Sequence, residues 1–404
     1  MKKLLIFVVT ASIVMVSTGG FYDAREIAHT VTVIAMGIDK GETMPYRVTF
    51  QIERTGTGEG AASGENSGNE TEKEKSKDVL VVEAPTILTA FARANSINSV
   101  DLSMNNVKMV IISSEVAENG IKDAVCEIAS ATEFKNNAYL ALSLKKAEDI
   151  LKNVSPEDEE YLSVYYEEII HRHYKEATRF FLLSESYFDL ESKGGDFVLP
   201  LVSKREEDGF ENYFKDDTKS NLIAGMIPKE SKHKVEFLGG AVLSEGKLKG
   251  YLTESEMLAL SFAGGFFAPR DISVEYPGDS ESFVIIKLSQ NENSKIKIFP
   301  GEYTKAKIEI NLSGNYEFIP EADYKSFDKE FTLYLEKEIG KSVRSVIKKC
   351  IEQYDSDVLG LIDHAKIHFV KNADMERSGI ELKDILINPA VTIKTERNGR
   401  FTFG

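Results

Sequence analysis

Runs of alternating apolar and polar residues give the first structural signal. Tyr46–Glu53 puts Val48, Phe50 and Ile52 on one face, and residues 30–38 are β-branched and alternate in the same way. Both stretches predict strands. Gly37-Ile38-Asp39-Lys40-Gly41 lies between them and has turn composition, so a β-hairpin turning there is expected. Strands follow at 79–84, 107–112 and 137–144. Helices are expected at 85–99, with Ile87, Ala90, Phe91 and Ala94 on one side, at 116–130 with a break at Asn119-Gly120, and at 145–152. Ser155-Pro156-Glu157-Asp158 reads as a helix start, and that helix runs to about His173. Val198-Leu199-Pro200 reads as a short extended piece.

The second half is richer in strands. Residues 235–243 and 248–252 form a hairpin through Ser244-Glu245-Gly246-Lys247, and Thr253 caps a helix to 262. Strands at 272–276, 282–288, 295–299 and 305–312 continue the meander. Phe327, Phe331, Leu335, Ile339, Val343, Val346, Ile347, Cys350 and Tyr354 then step mostly by three or four, the stripe of one long amphipathic helix. Strands at 361–370 and 389–396 are expected to end the chain.

The fold class is therefore α+β, in several small mixed-sheet domains, with a C-terminal β-meander and one long helix. The organisation reads as a signal peptide or anchor at 1–20, an N-terminal α/β domain at 21–200, a linker or small middle segment at 201–235, and a C-terminal α+β domain at 236–404. Residues 55–78 are rich in Gly, Ser, Glu and Lys without apolar periodicity and read as a flexible loop. Its Gly56-x-Gly58 text lacks the strand and helix that a dinucleotide fingerprint needs.

Lys2 and Lys3 precede a weakly polar run from residue 4 to 16, followed by Ser17-Thr18-Gly19-Gly20. That is the layout of an export signal, and the run is short for a membrane span. Cleavage after the small residues and retention as an anchor both remain open. Composition adds to this picture. The 404 residues carry 49 Lys+Arg against 65 Asp+Glu, a net charge of −16, which argues against nucleic acid and gives no overall attraction to anionic lipid. Two cysteines, Cys126 and Cys350, are too few for a disulfide scaffold and read as small buried apolar groups.

No nucleophile elbow, zincin motif or phosphate loop occurs, so no catalytic residue, metal ligand or cofactor site is assigned. His364 and His368 have i,i+4 spacing but fall in a stretch read as strand, and His171 and His173 point to different helix faces. Carboxylate pairs such as Asp355 and Asp357 read as caps or solvated faces.

Several segments, taken in order, resemble a known family. Gly20-Phe21-Tyr22-Asp23-Ala24-Arg25-Glu26-Ile27 with Gly37-Ile38-Asp39-Lys40 looks like the opening of the Ger(x)C family, the C-subunit lipoproteins of spore germinant receptors. Val116-Ala117-Glu118-Asn119-Gly120-Ile121, Gly239-Gly240-Ala241-Val242-Leu243 and Asp357-Val358-Leu359-Gly360 resemble later family segments. The motif positions carried over are Gly20, Asp23, Arg25, Glu26, Gly37, Asp39, Asp357 and Gly360. The resemblance implies a non-enzymatic subunit at the outer face of the spore inner membrane. Its expected partners are membrane-embedded A and B receptor subunits, with any small-molecule germinant engaged indirectly. Phe21 stands where the family carries its lipidated cysteine, and Tyr22 where it carries Trp, so lipid anchoring is not expected. An exported solute-binding protein serving a transporter is the competing class; its usual two parallel α/β halves do not match the meander.

Overall fold

The computed structural model describes residues 30–53, 78–154, 161–174, 181–191, 195–204, 222–227, 234–276, 279–300, 303–319, 324–367 and 380–395. A ten-stranded sheet organises the first part. Strands β1 (Thr30–Lys40), β2 (Tyr46–Glu53) and β3 (Asp78–Ala84) form an antiparallel meander. β4 (Asp101–Ser103) and β5 (Met109–Ser113) join β1 in parallel, and β6 (Tyr139–Ser143) joins β5 in parallel. The short β7 (Phe181–Leu182) pairs with β6. β8 (Phe197–Lys204), β9 (Val235–Ser244) and β10 (Lys247–Leu252) complete the order β10-β9-β8-β6-β5-β1-β2-β3.

Helices cover both faces of this sheet. On one side lie α1 (Ile87–Ile97), α2 (Ser114–Asn119), α3 (Lys122–Ser130) and α6 (Leu183–Glu191). On the other lie α4 (Ala147–Asn153) and α5 (Leu162–Tyr174). Central strands consequently bury apolar residues on both faces: in β5, Val110 and Ile112 enter one core while Met109 and Ile111 enter the other. The periodicity reading of α1 matches in detail, since Ile87, Ala90, Phe91 and Ala94 are its buried residues and Thr86 accepts the cap bond from the Thr89 N–H.

A second, five-stranded sheet follows: β11 (Arg270–Tyr276), β12 (Asp279–Ser289), β13 (Lys295–Phe299), β14 (Lys305–Phe318) and β15 (Leu386–Thr395). Long β14 is its axis. Its N-terminal half pairs with β13, its C-terminal half with β12, and β15 runs parallel along its other edge. Ala306, Ile308, Ile310 and Leu312 face a helical layer of α7 (Glu254–Gly264) and the 31-residue α8 (Tyr324–Tyr354). The stripe of α8 packs there, with Phe331, Leu335, Ile339, Val343, Val346, Ile347 and Cys350 all buried. Thr253 and Glu256 form a reciprocal capping box at the start of α7.

Three local readings are corrected. Gly37-Ile38-Asp39-Lys40 is strand, not turn; the hairpin reverses at residues 41–45. Gly37 serves a close approach instead, because a Cβ there would stand 3.1 Å from the Ala147 Cβ on α4. Val198-Leu199-Pro200 lies inside an eight-residue interior strand rather than a short extended piece. The stretch expected as strand from 361 begins as a helix, α9 (Leu361–Lys366), because Gly360 and Asp357 build its N-terminus. His368 lies outside the described residues, as do the expected helix start at 155–158 and residues 55–77 of the loop expected at 55–78, whose last residue, Asp78, begins β3. The composition break near 201–235 does not interrupt the first sheet: β9 hydrogen-bonds to β8 across it, and β10 to β9.

Packing of α8 gives a direct test. Leu335 is 3% exposed and Leu333 57% exposed. Leu335→Ala is expected to cost about 2–5 kcal/mol in urea unfolding, and Leu333→Ala no more than about 0.5 kcal/mol.

Candidate functional site

Two polar junctions hold the motif residues that the structure describes. The first surrounds Asp39, which is 1% exposed at the end of β1. Strand register places Asp39 opposite Arg47 on β2, and Arg47 opposite Glu83 on β3, so three charged residues form one row across the sheet. The Asp39 carboxylate accepts the backbone N–H groups of Ala147 (2.7 Å) and Glu148 (2.9 Å), more than a hundred residues away. These are the first two residues of α4, whose N–H groups lack intrahelical partners and present positive charge. Burial nevertheless raises the pKa of Asp39, outweighing these bonds.

Arg47 takes the neighbouring carboxylates. Its Nε donates to Glu148 Oε2 at 2.6 Å, its Nη2 to Glu148 Oε1 at 3.3 Å, and its Nη1 to Glu83 Oε1 at 3.3 Å. The Arg47 hydrogen bond leads the causes that hold Glu148 at about 2. Glu83 is also held at about 2, chiefly by the Thr43 hydroxyl and the Glu42 and Thr43 N–H groups of the β1–β2 turn. On the far side, Gln51 donates to the Leu151 carbonyl (3.1 Å) and receives the hydroxyl of fully buried Tyr166 (2.7 Å). Helix α4 is thus held at both ends by side chains from β1 and β2.

The second junction surrounds Asp357. Its carboxylate accepts the N–H groups of Leu361 (2.7 Å) and Ile362 (2.8 Å), capping α9, while Gly360 turns the chain with φ 65°. Burial is again the largest influence and raises its pKa, and the charges of Asp196 and Asp363 act in the same direction. Asp196 bridges two loops: one carboxylate oxygen accepts the Asp357 N–H at 2.5 Å and the other the Glu245 N–H at 3.2 Å. Glu245 and Gly246 form the β9–β10 turn with φ 51° and 73°, the two left-handed positions of a type I′ hairpin. The Ser244 hydroxyl donates to the Asp355 carbonyl and the Ser356 hydroxyl to the Leu243 carbonyl, joining this hairpin to the loop after α8. Tyr354 donates to the Tyr251 carbonyl, and its ring fills the space beside Gly250, where a Cβ would meet it at 2.2 Å. Lys349 pairs with Glu256 at 2.8 Å, tying α8 to α7.

A cleft of about 420 Å³ opens beside the second junction, between the two sheets. Phe181, Asp196, Phe197, Phe266, Asn293 and His364 contribute to its lining. Among the described residues, no group of three or more His, Cys, Asp or Glu side chains could hold a metal ion, and no helix is long and apolar enough to cross a membrane. Cys350 and Cys126 are free thiols; burial pushes Cys350 up to about 12.

The structure therefore separates the motif residues. Gly37 and Asp39 belong to the first junction, Asp357 and Gly360 to the second. Gly20, Phe21, Asp23, Arg25 and Glu26 lie outside the described residues. Sequence reading missed Arg47 and Glu83, whose only signal is the charged row that strand register creates, and Glu148, which packing of α4 brings to Arg47. It also missed Asp196, whose two backbone acceptances have no sequence signature.

An α+β protein with two successive sheets joined by buried polar junctions is the class that this geometry defines. Comparison with known proteins makes it specific. Residues 23–204 match the family model described as spore germination protein N-terminal domain. Residues 238–399 match the one described as spore germination B3/GerAC like, C-terminal. The chain belongs to the Ger(x)C family of spore germination proteins. It is 23% identical over 299 residues to spore germination protein GerQC of Bacillus cereus, covering 69% of this chain and 71% of that protein. It is 23% identical over 362 residues to spore germination protein B3 of Bacillus subtilis, covering 86% and 85%. The crystal structure of the GerBC protein superposes with a TM-score of 0.50 at 15% identity, covering 89% of this chain and 96% of that one, which supports the α+β fold.

The first junction predicts a pH signature. Carboxylates with depressed folded pKa values stabilise the fold above their unfolded pKa and lose that contribution as pH falls through the folded value. Arg47→Met should cost about 2 kcal/mol at neutral pH. In chemical denaturation, the gap between variant and native protein should close as Glu148 protonates, between about pH 4.5 and about 2. A gap unchanged across that window would show that Arg47 acts by packing rather than by charge.

Proposed function

We propose that this chain is the C subunit of a germinant receptor: a non-enzymatic, exported protein at the outer face of the spore inner membrane, needed for nutrient-triggered germination. The observation that carries this reading is the ordered pair of family matches, 23–204 and then 238–399, which together run through nearly the whole chain. The export-type N-terminus supports it. So does the arrangement of the charged residues. In both junctions the buried carboxylates accept backbone N–H groups at helix starts, the work of scaffolding rather than of proton transfer.

Its partners are two membrane-embedded subunits, A and B, and its function is to complete their assembly, so that a small-molecule germinant acts through the complex. The role requires a stable surface presented by rigid sheets, which the two stitched junctions supply. Spore membranes should therefore retain the chain and yield it together with two multi-span proteins on affinity purification. Deleting the partner subunits should reduce its membrane retention. Recovery solely from mother-cell cytosol would overturn the proposal.

Position 21 bears on how it is held. With Phe21 in place of a cysteine, no thiol is available to carry a diacylglyceryl group. Labelled lipid is expected to stay absent from the native chain and to appear on Phe21→Cys, read by incorporation during sporulation. Label on the native protein would refute this.

A further inference from the structure

The face of the second sheet that turns away from α8 carries a local charge opposite to that of the chain. Side chains alternate across a strand, so Lys295, Lys297 and Phe299 of β13 share this outer face with Lys305, Lys307 and Glu309 of β14. Register sets them in rows that continue onto β15. Phe299 stands opposite Lys305, which stands opposite Leu386; Lys297 stands opposite Lys307, which stands opposite Asn388; Lys295 stands opposite Glu309, which stands opposite Ala390.

Four lysines thus crowd one end of the sheet. Glu309 is shared by two of them, Lys297 at 3.1 Å and Lys307 at 2.8 Å, and Glu292 accompanies Lys295 at 3.5 Å. The local balance stays positive in a chain of net charge −16. The row nearest the β13–β14 turn is apolar at its margins: Phe299 is 51% exposed, Leu386 49%, and Tyr303 in the turn 67%. An exposed aromatic and aliphatic rim beside rows of lysines matches the chemistry of a lipid interface. Rings and a leucine can enter the headgroup layer while ammonium groups on long stems meet phosphates.

We propose that this end of the second sheet is a docking surface for an anionic bilayer, with Phe299, Tyr303 and Leu386 entering the headgroup region and Lys297, Lys305 and Lys307 contacting lipid phosphates. It deepens the proposed membrane role and rests on it. The charge complementarity favours lipid over an apolar protein partner, because the lysines form a row-wise flat array instead of lining a groove. It also gives a protein without a cysteine at position 21 a second contact with the membrane, since a single weak anchor binds reversibly.

Vesicle flotation of the full chain tests the surface. One vesicle set is phosphatidylcholine alone; the other contains about one-third phosphatidylglycerol. Binding should be about tenfold stronger to the anionic set and should weaken as salt rises. The triple variant Lys297→Gln, Lys305→Gln, Lys307→Gln should abolish that preference. A control with the same charge loss on α8, Lys337→Gln, Lys341→Gln, Lys348→Gln, should keep it. Phe299→Ser with Leu386→Ser should lower binding to both vesicle sets. Circular dichroism confirming a native fold for each variant makes these comparisons valid, and the α8 control reports any general effect of charge.

Equal flotation on both vesicle sets would overturn this surface while leaving the membrane role to the N-terminal segment. Absence of flotation on both sets would overturn it as well. If the lysine triple variant kept its lipid preference but no longer copurified with the receptor subunits, the face would belong to an acidic protein, and the lipid assignment would fall.

Discussion

A carboxylate buried against the start of a distant helix is the interaction on which the first sheet depends. Asp39 stands at the end of β1, yet the N–H groups that it accepts belong to α4. Helix and strand are thereby fixed end to end, and Gly37 lets α4 approach the sheet within contact distance. The arrangement is not the cheapest one available. Burial raises the pKa of Asp39 in spite of two N–H bonds, so desolvation exceeds what they return. What the carboxylate gives is placement: an apolar residue there would leave α4 free to slide along the sheet, whereas two directional bonds select one register. Arg47 and Gln51 extend the same logic to the helix's second residue and its C-terminal turn.

The second junction repeats the device where the two sheets meet. Asp357 caps α9, and Asp196 binds both the loop that carries Asp357 and the β9–β10 turn. Because β9 and β10 belong to the first sheet while α8 packs on the second, these bonds connect the two sheets. Tyr354 packed against Gly250 closes the same seam with a contact that only glycine permits. The cores merge here too, since Val198, Val242 and Leu252 of the first sheet share a cluster with Phe331 and Leu335. A composition break between 201 and 235 marks a long connection, and the sheet's hydrogen bonds pass across it.

Periodicity carried most of the fold. The face of α1, the stripe of α8 and the capped start of α7 are legible because each depends on spacing or on a local cap. Errors arose where composition stood in for tertiary context. Gly37 to Lys40 has turn composition, but its glycine answers to α4 and its aspartate to a helix more than a hundred residues on. The stretch from 361 looked extended, since the helix start rests on Asp357 and on a left-handed Gly360 rather than on apolar spacing. The candidate site was legible only in part. Motif resemblance located Asp39 and Asp357, while Arg47, Glu83, Glu148 and Asp196 acquire meaning only from register and long-range bonds.

Net charge illustrates the same limit for function. A total of −16 argues against nucleic acid as a partner, but a sum has no geometry. The strands of the second sheet alternate, so every inward Ile298, Ala306 or Ile308 sends a neighbour outward, and at this end those neighbours are mostly lysine. An acidic chain thereby presents a basic face without any basic run in its sequence. At short range the local array sets the potential, because charges beyond about 8–10 Å are screened at physiological salt. A surface of this kind is invisible to composition and becomes apparent only when β13, β14 and β15 are laid side by side.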